Sequence, residues 1–166
     1  LGYAFDKGVG LIADKEAAAA WYATACDAGF LPSCANLGVL YVGGDGIPRD
    51  VDEGVSLYRK ACDGGYGTGC ANLGVLYARG ELVPINSAQA EDLFTRACEV
   101  GTGAGCTFLG ALYESRDTRK ARDLFNRACD AGDLAGCRQL AVGYEQAPPS
   151  ERNEARAAAL YKRACD

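Results

Sequence analysis

The sequence predicts an all-α protein, an α/α superhelical solenoid of stacked helix-turn-helix repeats, on three observations. Cysteines recur in pairs with the spacing C-x7-C, the eight residues that begin at the second cysteine recur with them, and Asp or Asn recurs eight residues before an aromatic residue. A fixed internal period of this size is typical of stacked repeat architectures. We therefore expect one elongated solenoid domain over residues 1–166 rather than separate globular domains.

The cysteine pairs set the period. The four pairs are Cys26/Cys34, Cys62/Cys70, Cys98/Cys106 and Cys129/Cys137, followed by the single Cys165. Successive first cysteines, counted through Cys165, lie 36, 36, 31 and 36 residues apart. Cys165 thus has the position of a first cysteine whose partner would lie beyond the last residue, and Leu1 falls inside a repeat. We expect the sequence to be a fragment with partial first and last repeats.

The segment that begins at the second cysteine predicts the first helix of each unit, helix A. It reads CANLGVLY twice, then CTFLGALY and CRQLAVGY. Cys34, Leu37, Gly38 and Tyr41 lie at i, i+3, i+4 and i+7, on one face of a helix. Glycine inside a helix costs about 1 kcal/mol relative to alanine. We therefore expect a neighbouring backbone to approach Gly38 closely.

A capping residue predicts the start of the second helix, helix B. The five residues at this position are Asp14, Asp50, Asn86, Asp117 and Asn153. Their short side chains can accept hydrogen bonds from the first turn of a helix. A glycine three residues after the cysteine that ends helix B is typical of a helix C-terminus. Trp21 has the helix B position that Leu57 and Leu93 have in later copies, which predicts that it is a core residue.

Gly-rich segments such as Gly43–Pro48 separate helix A from helix B. They are predicted to be turns and caps rather than phosphate-binding loops, because no strand precedes them and no GK[ST] follows. The third complete repeat is five residues shorter than the others, and the deletion falls in this loop.

Each C-x7-C pair spans the turn from helix B into the next helix A. A tight turn can bring the two Cα atoms within the about 4.4–6.8 Å that a disulfide needs, which predicts four local bridges. A closed loop of about nine residues predicts about 2.5 kcal/mol per bridge. Two alternatives remain open: buried free thiols in a reducing compartment, and zinc. Zinc clusters favour closer cysteine spacing with histidine, and the chain has no His. Disulfides would indicate an oxidising compartment.

Charge and hydropathy narrow the class of partner. The net charge of −5 disfavours nucleic acid, whose phosphates require a Lys/Arg-rich surface. No stretch of about 18 apolar residues is present, so direct membrane insertion is not expected. The sequence predicts neither a cofactor nor a metal site.

Together these motifs resemble Sel1-like repeats, which are relatives of the tetratricopeptide repeat. The C-x7-C pairs make the chain similar to the cysteine-rich bacterial subfamily, the Helicobacter cysteine-rich proteins. The resemblance implies an α/α superhelix with one disulfide per repeat, in a secreted or periplasmic protein that binds other proteins. The chain departs from the pattern in the short third repeat, and at Ala141 and Gly143, where other copies have Gly and Leu.

An enzyme is not expected, although some members of that subfamily are described as penicillin-binding proteins or weak β-lactamases. A serine β-lactamase needs S-x-x-K, and the runs from Ser56, Ser115 and Ser150 have no lysine at the fourth position. A β-lactam-binding or weak β-lactamase-type hydrolase is therefore kept only as an alternative. A mitochondrial intermembrane-space assembly factor is a second alternative, since a cysteine-rich Sel1-like protein is known there.

The candidate binding surface lies on the A helices, which line the concave face of a two-helix solenoid. The residues opposite the buried stripe are Asn36, Val39, Asn72, Val75, Phe108 and Gln139. Amides can bind the backbone of an extended peptide, and Phe108 can anchor a side chain. The partner is therefore expected to be another protein or an extended peptide. Alternatively, Asn36 and Asn72 bond a neighbouring helix A and order the stack.

Overall fold

A computed structural model describes residues 2–8, 14–148 and 152–165, and within these ranges the chain forms ten α-helices and no strand. The helices are α1 (Gly2–Lys7), α2 (Lys15–Asp27), α3 (Leu31–Gly43), α4 (Val51–Asp63), α5 (Gly67–Arg79), α6 (Ser87–Glu99), α7 (Gly103–Tyr113), α8 (Thr118–Asp130), α9 (Leu134–Gln146) and α10 (Glu154–Arg163). Odd-numbered helices are A helices and even-numbered helices are B helices. The predicted all-α repeat fold is confirmed.

The chain divides into two compact units, Leu1–Ala90 and Glu91–Asp166. In the first unit, each helix from α1 to α5 contacts the next, and α3 also contacts α5. In the second unit, α7, α8, α9 and α10 contact in order, and α7 also contacts α9. Contact of each helix with its near neighbours along the chain is the packing expected of a repeat protein. The single domain over residues 1–166 stays a prediction.

The predicted caps begin the B helices. The side chains of Asp14, Asp50, Asn86, Asp117 and Asn153 accept hydrogen bonds of 2.9–3.0 Å from the backbone N–H three residues later. The backbone N–H groups of the same residues close the preceding turn. That of Asp50 donates to the carbonyl oxygen of Tyr41 at 3.0 Å, and that of Asn86 to the carbonyl oxygen of Tyr77 at 2.9 Å. One residue therefore ends the A–B turn and caps helix B.

The turn from helix B to helix A is a Schellman motif. At the end of α2, the N–H of Gly29 donates to the carbonyl oxygen of Cys26 at 3.0 Å, and the N–H of Phe30 donates to that of Ala25 at 2.9 Å. Gly29 has φ +87°, which glycine adopts without steric cost. Phe30 is also the N-cap residue of α3. Helix A therefore begins at the residue that completes the end of helix B.

This turn places each pair of cysteines side by side. Four disulfides join Cys26–Cys34, Cys62–Cys70, Cys98–Cys106 and Cys129–Cys137, with Cα–Cα distances of 4.7, 4.5, 4.5 and 4.4 Å. The four predicted bridges are confirmed, and the free-thiol and zinc alternatives do not hold for these eight cysteines. Cys165 is exposed and is not bridged to any residue of the described ranges.

The residue before the second cysteine lies against helix B. A Cβ added to Gly105 would lie 2.4 Å from the Cβ of Ala97, and one added to Gly136 would lie 2.4 Å from that of Ala128. The small residues at this position therefore let helix A lie close against helix B.

The glycines inside the A helices contact aromatic rings. A Cβ added to Gly38 would lie 2.7 Å from Cε1 of Tyr58, and the nearest backbone atom, the carbonyl oxygen of Gly54, would lie at 3.2 Å. At Gly110 the closest atom is Cε1 of Phe125, at 2.6 Å. The predicted close backbone is therefore found at Gly38, where the ring of Tyr58 lies closer still, whereas at Gly110 the three nearest atoms all belong to the ring of Phe125.

Trp21 was wrongly predicted to be a core residue, because its side chain is 45% exposed whereas that of Leu57 is 7% exposed. The reason is the length of the adjacent A helix. Over the described residues α1 comprises Gly2–Lys7, which aligns with the C-terminal half of α3. The N-terminal half of an A helix, which covers the C-terminal half of helix B in an antiparallel pair, does not lie beside Trp21.

The local disulfides should each contribute measurably to stability. Replacing Cys98 and Cys106 together with Ala should lower the free energy of unfolding by about 2–3 kcal/mol, because the unfolded chain loses a closed loop. Urea denaturation followed by circular dichroism measures this loss. The control Cys165→Ser should change the free energy of unfolding by less than about 0.5 kcal/mol. Non-reducing peptide mapping that found Cys34 joined to Cys62 would contradict the pairing.

Two helical glycines should respond oppositely to the same substitution. Gly110→Ala should destabilise the protein by about 1–3 kcal/mol, because the new Cβ overlaps the buried ring of Phe125. Gly143→Ala should stabilise it by about 0.5–1 kcal/mol, because no atom lies within 4 Å of the new Cβ and alanine favours the helix. Thermal and urea denaturation compare the two variants, and equal effects would contradict the assigned packing.

Candidate functional site

The predicted binding residues lie on the A helices. In the first unit, α3 carries Asn36 and Val39, and α5 carries Asn72 and Val75 at the same positions relative to their cysteines. Val39 is 49% exposed and the other three are half-buried. Since α3 and α5 contact each other, the two amides lie on adjacent helices. Their placement on a concave surface stays a prediction.

The amides of Asn36 and Asn72 make no hydrogen bond to any residue that the structure describes. The alternative, in which these amides bond a neighbouring A helix and order the stack, is therefore not observed. A half-exposed amide without a protein partner is hydrated and can exchange its water for a peptide group at small cost.

Asn36 lies at the edge of a cavity of about 340 Å³ that is rich in aromatic residues. Tyr3, Trp21 and Phe30 line this cavity, and their side chains are 60%, 45% and 60% exposed. Aromatic side chains that offer a large apolar area beside a polar group are typical of interaction surfaces.

The second unit carries the other two predicted residues. Phe108 on α7 is 39% exposed, and its ring lies 5.1 Å from that of Phe94 on α6 at an interplanar angle of 31°. This contact holds the Phe108 ring in place while part of it faces solvent. Gln139 on α9 is half-buried and makes no hydrogen bond within the described part of the chain.

Gln139 lines a second cavity, of about 290 Å³, together with Phe125, Leu140, Gly143 and Gln146. Sequence reasoning missed Gly143 and Gln146 as functional residues. The available signal was the glycine at position 143, which replaces the leucine of the other copies.

A polar network lies at the far end of α7 from its disulfide. The carboxylate of Glu91 accepts a hydrogen bond from the hydroxyl of Tyr113 at 2.6 Å and one from Arg116 at 3.1 Å. Arg116 and Lys120 also lie over the Tyr113 ring, at 4.7 and 3.7 Å from its centroid. The bonds from Tyr113 and Arg116 lower the pKa of Glu91. This carboxylate is held ionised by its partners and joins α6 to the end of α7 and to the turn before α8, which is a structural role.

The structure offers no metal centre in the parts it describes, since no three His, Cys, Asp or Glu side chains cluster there as a metal ion would require. No described helix is long and apolar enough to cross a membrane.

Helix pairs that repeat along the chain, with a disulfide in each B–A turn, define a helical-repeat protein. The family model described as Sel1 repeat matches residues 1–30, 31–66, 68–101, 104–133 and 134–166. The chain belongs to the Sel1 repeat family, and its fold is that of a Sel1 α/α solenoid. Proteins of this family are generally protein-interaction scaffolds.

Solved structures of other proteins have the same helical-repeat fold. A Sel1 repeat protein from Oxalobacter formigenes is similar with TM-score 0.82 and 29% identity over 99% of this chain and 67% of its own. The c5321 protective antigen of uropathogenic Escherichia coli has TM-score 0.77 and 26% identity over 99% of this chain and 36% of its own. Helicobacter pylori cysteine-rich protein B has TM-score 0.61 and 25% identity over 75% of this chain and 93% of its own. Comparison with curated protein sequences finds no match.

The Glu91 network should make stability depend on pH. The pKa of Glu91 is lower in the folded protein than its ordinary value of 4.5, so the ionised carboxylate stabilises the fold above that pH. This stabilisation is lost as the pH falls through the lower, folded-state pKa. Glu91→Gln should therefore lower the free energy of unfolding by up to about 1 kcal/mol at neutral pH.

The loss should shrink as the pH falls below 4.5, because Glu91 of the unfolded wild type is protonated there and Glu91 of the folded protein becomes protonated at a still lower pH. Urea denaturation at a series of pH values measures this effect. The neighbouring exposed Asp92, replaced with Asn, is the control, and it should show a difference of less than about 0.5 kcal/mol at every pH. A loss in Glu91→Gln that does not vary with pH would contradict the role assigned to the ionised carboxylate.

Proposed function

We propose that this protein is a non-enzymatic, extracytoplasmic scaffold that binds another protein or an extended peptide along its A helices. The observation that carries the proposal is the set of half-buried amides of Asn36, Asn72 and Gln139, which make no hydrogen bond in the described ranges. All three stand two residues after the second cysteine of a pair. Amides that recur at one position offer donors and acceptors at intervals, which suits the backbone of an extended partner.

The aromatic residues beside these amides support the proposal. Phe30 is exposed and lines the same cavity as Asn36, while Phe108 lies on the A helix that precedes the one carrying Gln139. Aromatic anchors supply much of the binding energy at protein interfaces, and polar groups around them set orientation. We assign the amides to the backbone of the partner and the aromatic residues to its side chains.

The disulfides support the proposed location. Four bridges within about 166 residues are typical of secreted or periplasmic proteins, because reducing compartments keep thiols free. Similarity to a Helicobacter cysteine-rich protein agrees with this location. The absence of His and of an S-x-x-K motif in the sequence supports a scaffold rather than a hydrolase.

The amides should contribute to binding and not to folding. Asn36→Ala combined with Asn72→Ala should weaken binding of a peptide selected against the wild-type protein by roughly tenfold, because two hydrogen bonds are lost. The melting temperature should fall by no more than about 2 °C. Trp21 is the only tryptophan in the sequence and lines the cavity beside Asn36, so its fluorescence can follow the titration.

Asn126 provides the matched control, since it lies on a B helix and its amide donates to Asp130 at 3.0 Å. Asn126→Ala should leave peptide affinity unchanged. A large drop in the melting temperature of the double variant would show that the two amides are structural. Unchanged affinity in the double variant would remove them from the binding surface.

A further inference from the structure

One A helix lacks a leucine that three others carry. Three copies have leucine one residue before the conserved tyrosine of helix A, at Leu40, Leu76 and Leu112, whereas the fourth has Gly143. In the first unit Leu40 is 3% exposed and belongs to the same core cluster as Ala18 and Tyr22 of α2. Leu40 therefore shows that a leucine at this position can be buried against helix B, while Leu76 and Leu112 are half-buried.

The space at Gly143 is open. A Cβ added to Gly143 would have no heavy atom within 4 Å, and the residue borders the cavity of about 290 Å³. Ala121 and Phe125 of α8 also line this cavity, and they have the same positions in helix B as Ala18 and Tyr22 of α2. The cavity therefore adjoins the counterparts of the residues that cluster with Leu40 in the first unit.

The lining defines the chemistry of a ligand. Phe125 and Leu140, which are 4% and 2% exposed, form an apolar floor. The amide side chains of Gln139 and Gln146 and the hydroxyl of Thr118 are polar groups of the lining. One carboxylate, Glu114, and one guanidinium, Arg122, also line it, so the charge of the lining is balanced. Charge complementarity therefore favours an uncharged apolar group.

The size admits one side chain together with part of the adjoining peptide backbone. A volume of about 290 Å³ lies just below the range of about 300–1,000 Å³ typical of pockets for drug-sized ligands. The other copies carry an isobutyl group at this position within the chain, so we take a leucine side chain as the occupant.

We propose that the cavity at Gly143 binds a leucine-type side chain of an extended peptide. The amides of Gln139 and Gln146 contact the peptide backbone on either side of that residue. This inference rests on the proposed function and names the residue that the second unit recognises. The leucine that other copies supply from within the chain is thus supplied by the partner at position 143.

The test is an NMR titration of the whole protein with the capped peptide acetyl-Gly-Leu-Gly-amide at millimolar concentration. The backbone amide signals of Gly143 and Gln146 should shift on titration. The matched peptides with Ala or Lys in place of Leu should bind at least about tenfold more weakly. This is the difference in affinity expected from burying one aliphatic side chain. Equal shifts with all three peptides, or no shift at these residues, would overturn the proposal.

Variants at position 143 test the same cavity from the protein side. Gly143→Leu supplies the side chain of the other copies and should weaken binding of the Leu peptide at least tenfold without lowering the melting temperature. Gly143→Ala fills less space and should weaken binding by a smaller factor, so it remains informative if the leucine variant packs poorly. Gly43→Ala is the control, since Gly43 is also an exposed helical glycine with space around it and lies in the other unit.

The outcomes separate this inference from the proposed function. The Asn36 and Asn72 double variant reports on the first unit, and the Gly143 variants report on the second. Loss of Leu-peptide binding in Gly143→Leu supports the cavity proposal even if the asparagine double variant binds normally. Unchanged binding of the Leu peptide by Gly143→Leu overturns the cavity proposal, whatever the double variant does.

Discussion

The tight turn from helix B to helix A is the constraint on which the rest of this structure depends. Its hydrogen bonds end α2 at Asp27, with Ala28 as the C-cap residue, and they make Phe30 the N-cap residue of α3. Because the turn contains no additional residue, the cysteine near the end of helix B and the cysteine in the first turns of helix A must face each other. The disulfide then links the two helices of the hairpin. Turn and disulfide together fix which side of each helix faces the other. Because the same turn recurs, residues two places after the second cysteine recur at the same position on each A helix.

Packing between helices A and B divides each A helix into a buried and an exposed side. The aromatic ring at the centre of helix B lies against a glycine of helix A, as Tyr58 does at Gly38. That close contact brings the helix axes together and buries the stripe that includes Cys34 and Leu37. The amide of Asn36 is left half-buried and without a hydrogen-bond partner in the described residues. A scaffold of recurring hairpins can therefore vary its surface one residue at a time without changing the fold.

A single departure within such a repeat can create a site. Glycine at position 143 keeps the helical backbone of α9 and removes one apolar side chain from the space beside Phe125. In a globular core, a loss of this kind costs stability and the neighbours relax into the gap. Here the disulfide between Cys129 and Cys137 and the cap at Asp117 hold the flanking helices. The gap therefore persists at the surface, where a partner can reach it.

Much of the fold follows from residues that are close in sequence. The cap at Asp50, the left-handed Gly29 and the bridge from Cys26 to Cys34 each involve groups fewer than ten residues apart, so spacing alone determines them. Burial of Trp21 was mispredicted and the ring of Tyr58 against Gly38 was not foreseen, because both depend on which side chains of another helix fill the adjoining space. The cavity at position 143 is of the same kind, since the sequence shows only a missing leucine. The spacing of residues in the sequence determines the local hydrogen bonds. Which spaces between helices are filled and which stay empty is decided only when the helices pack together.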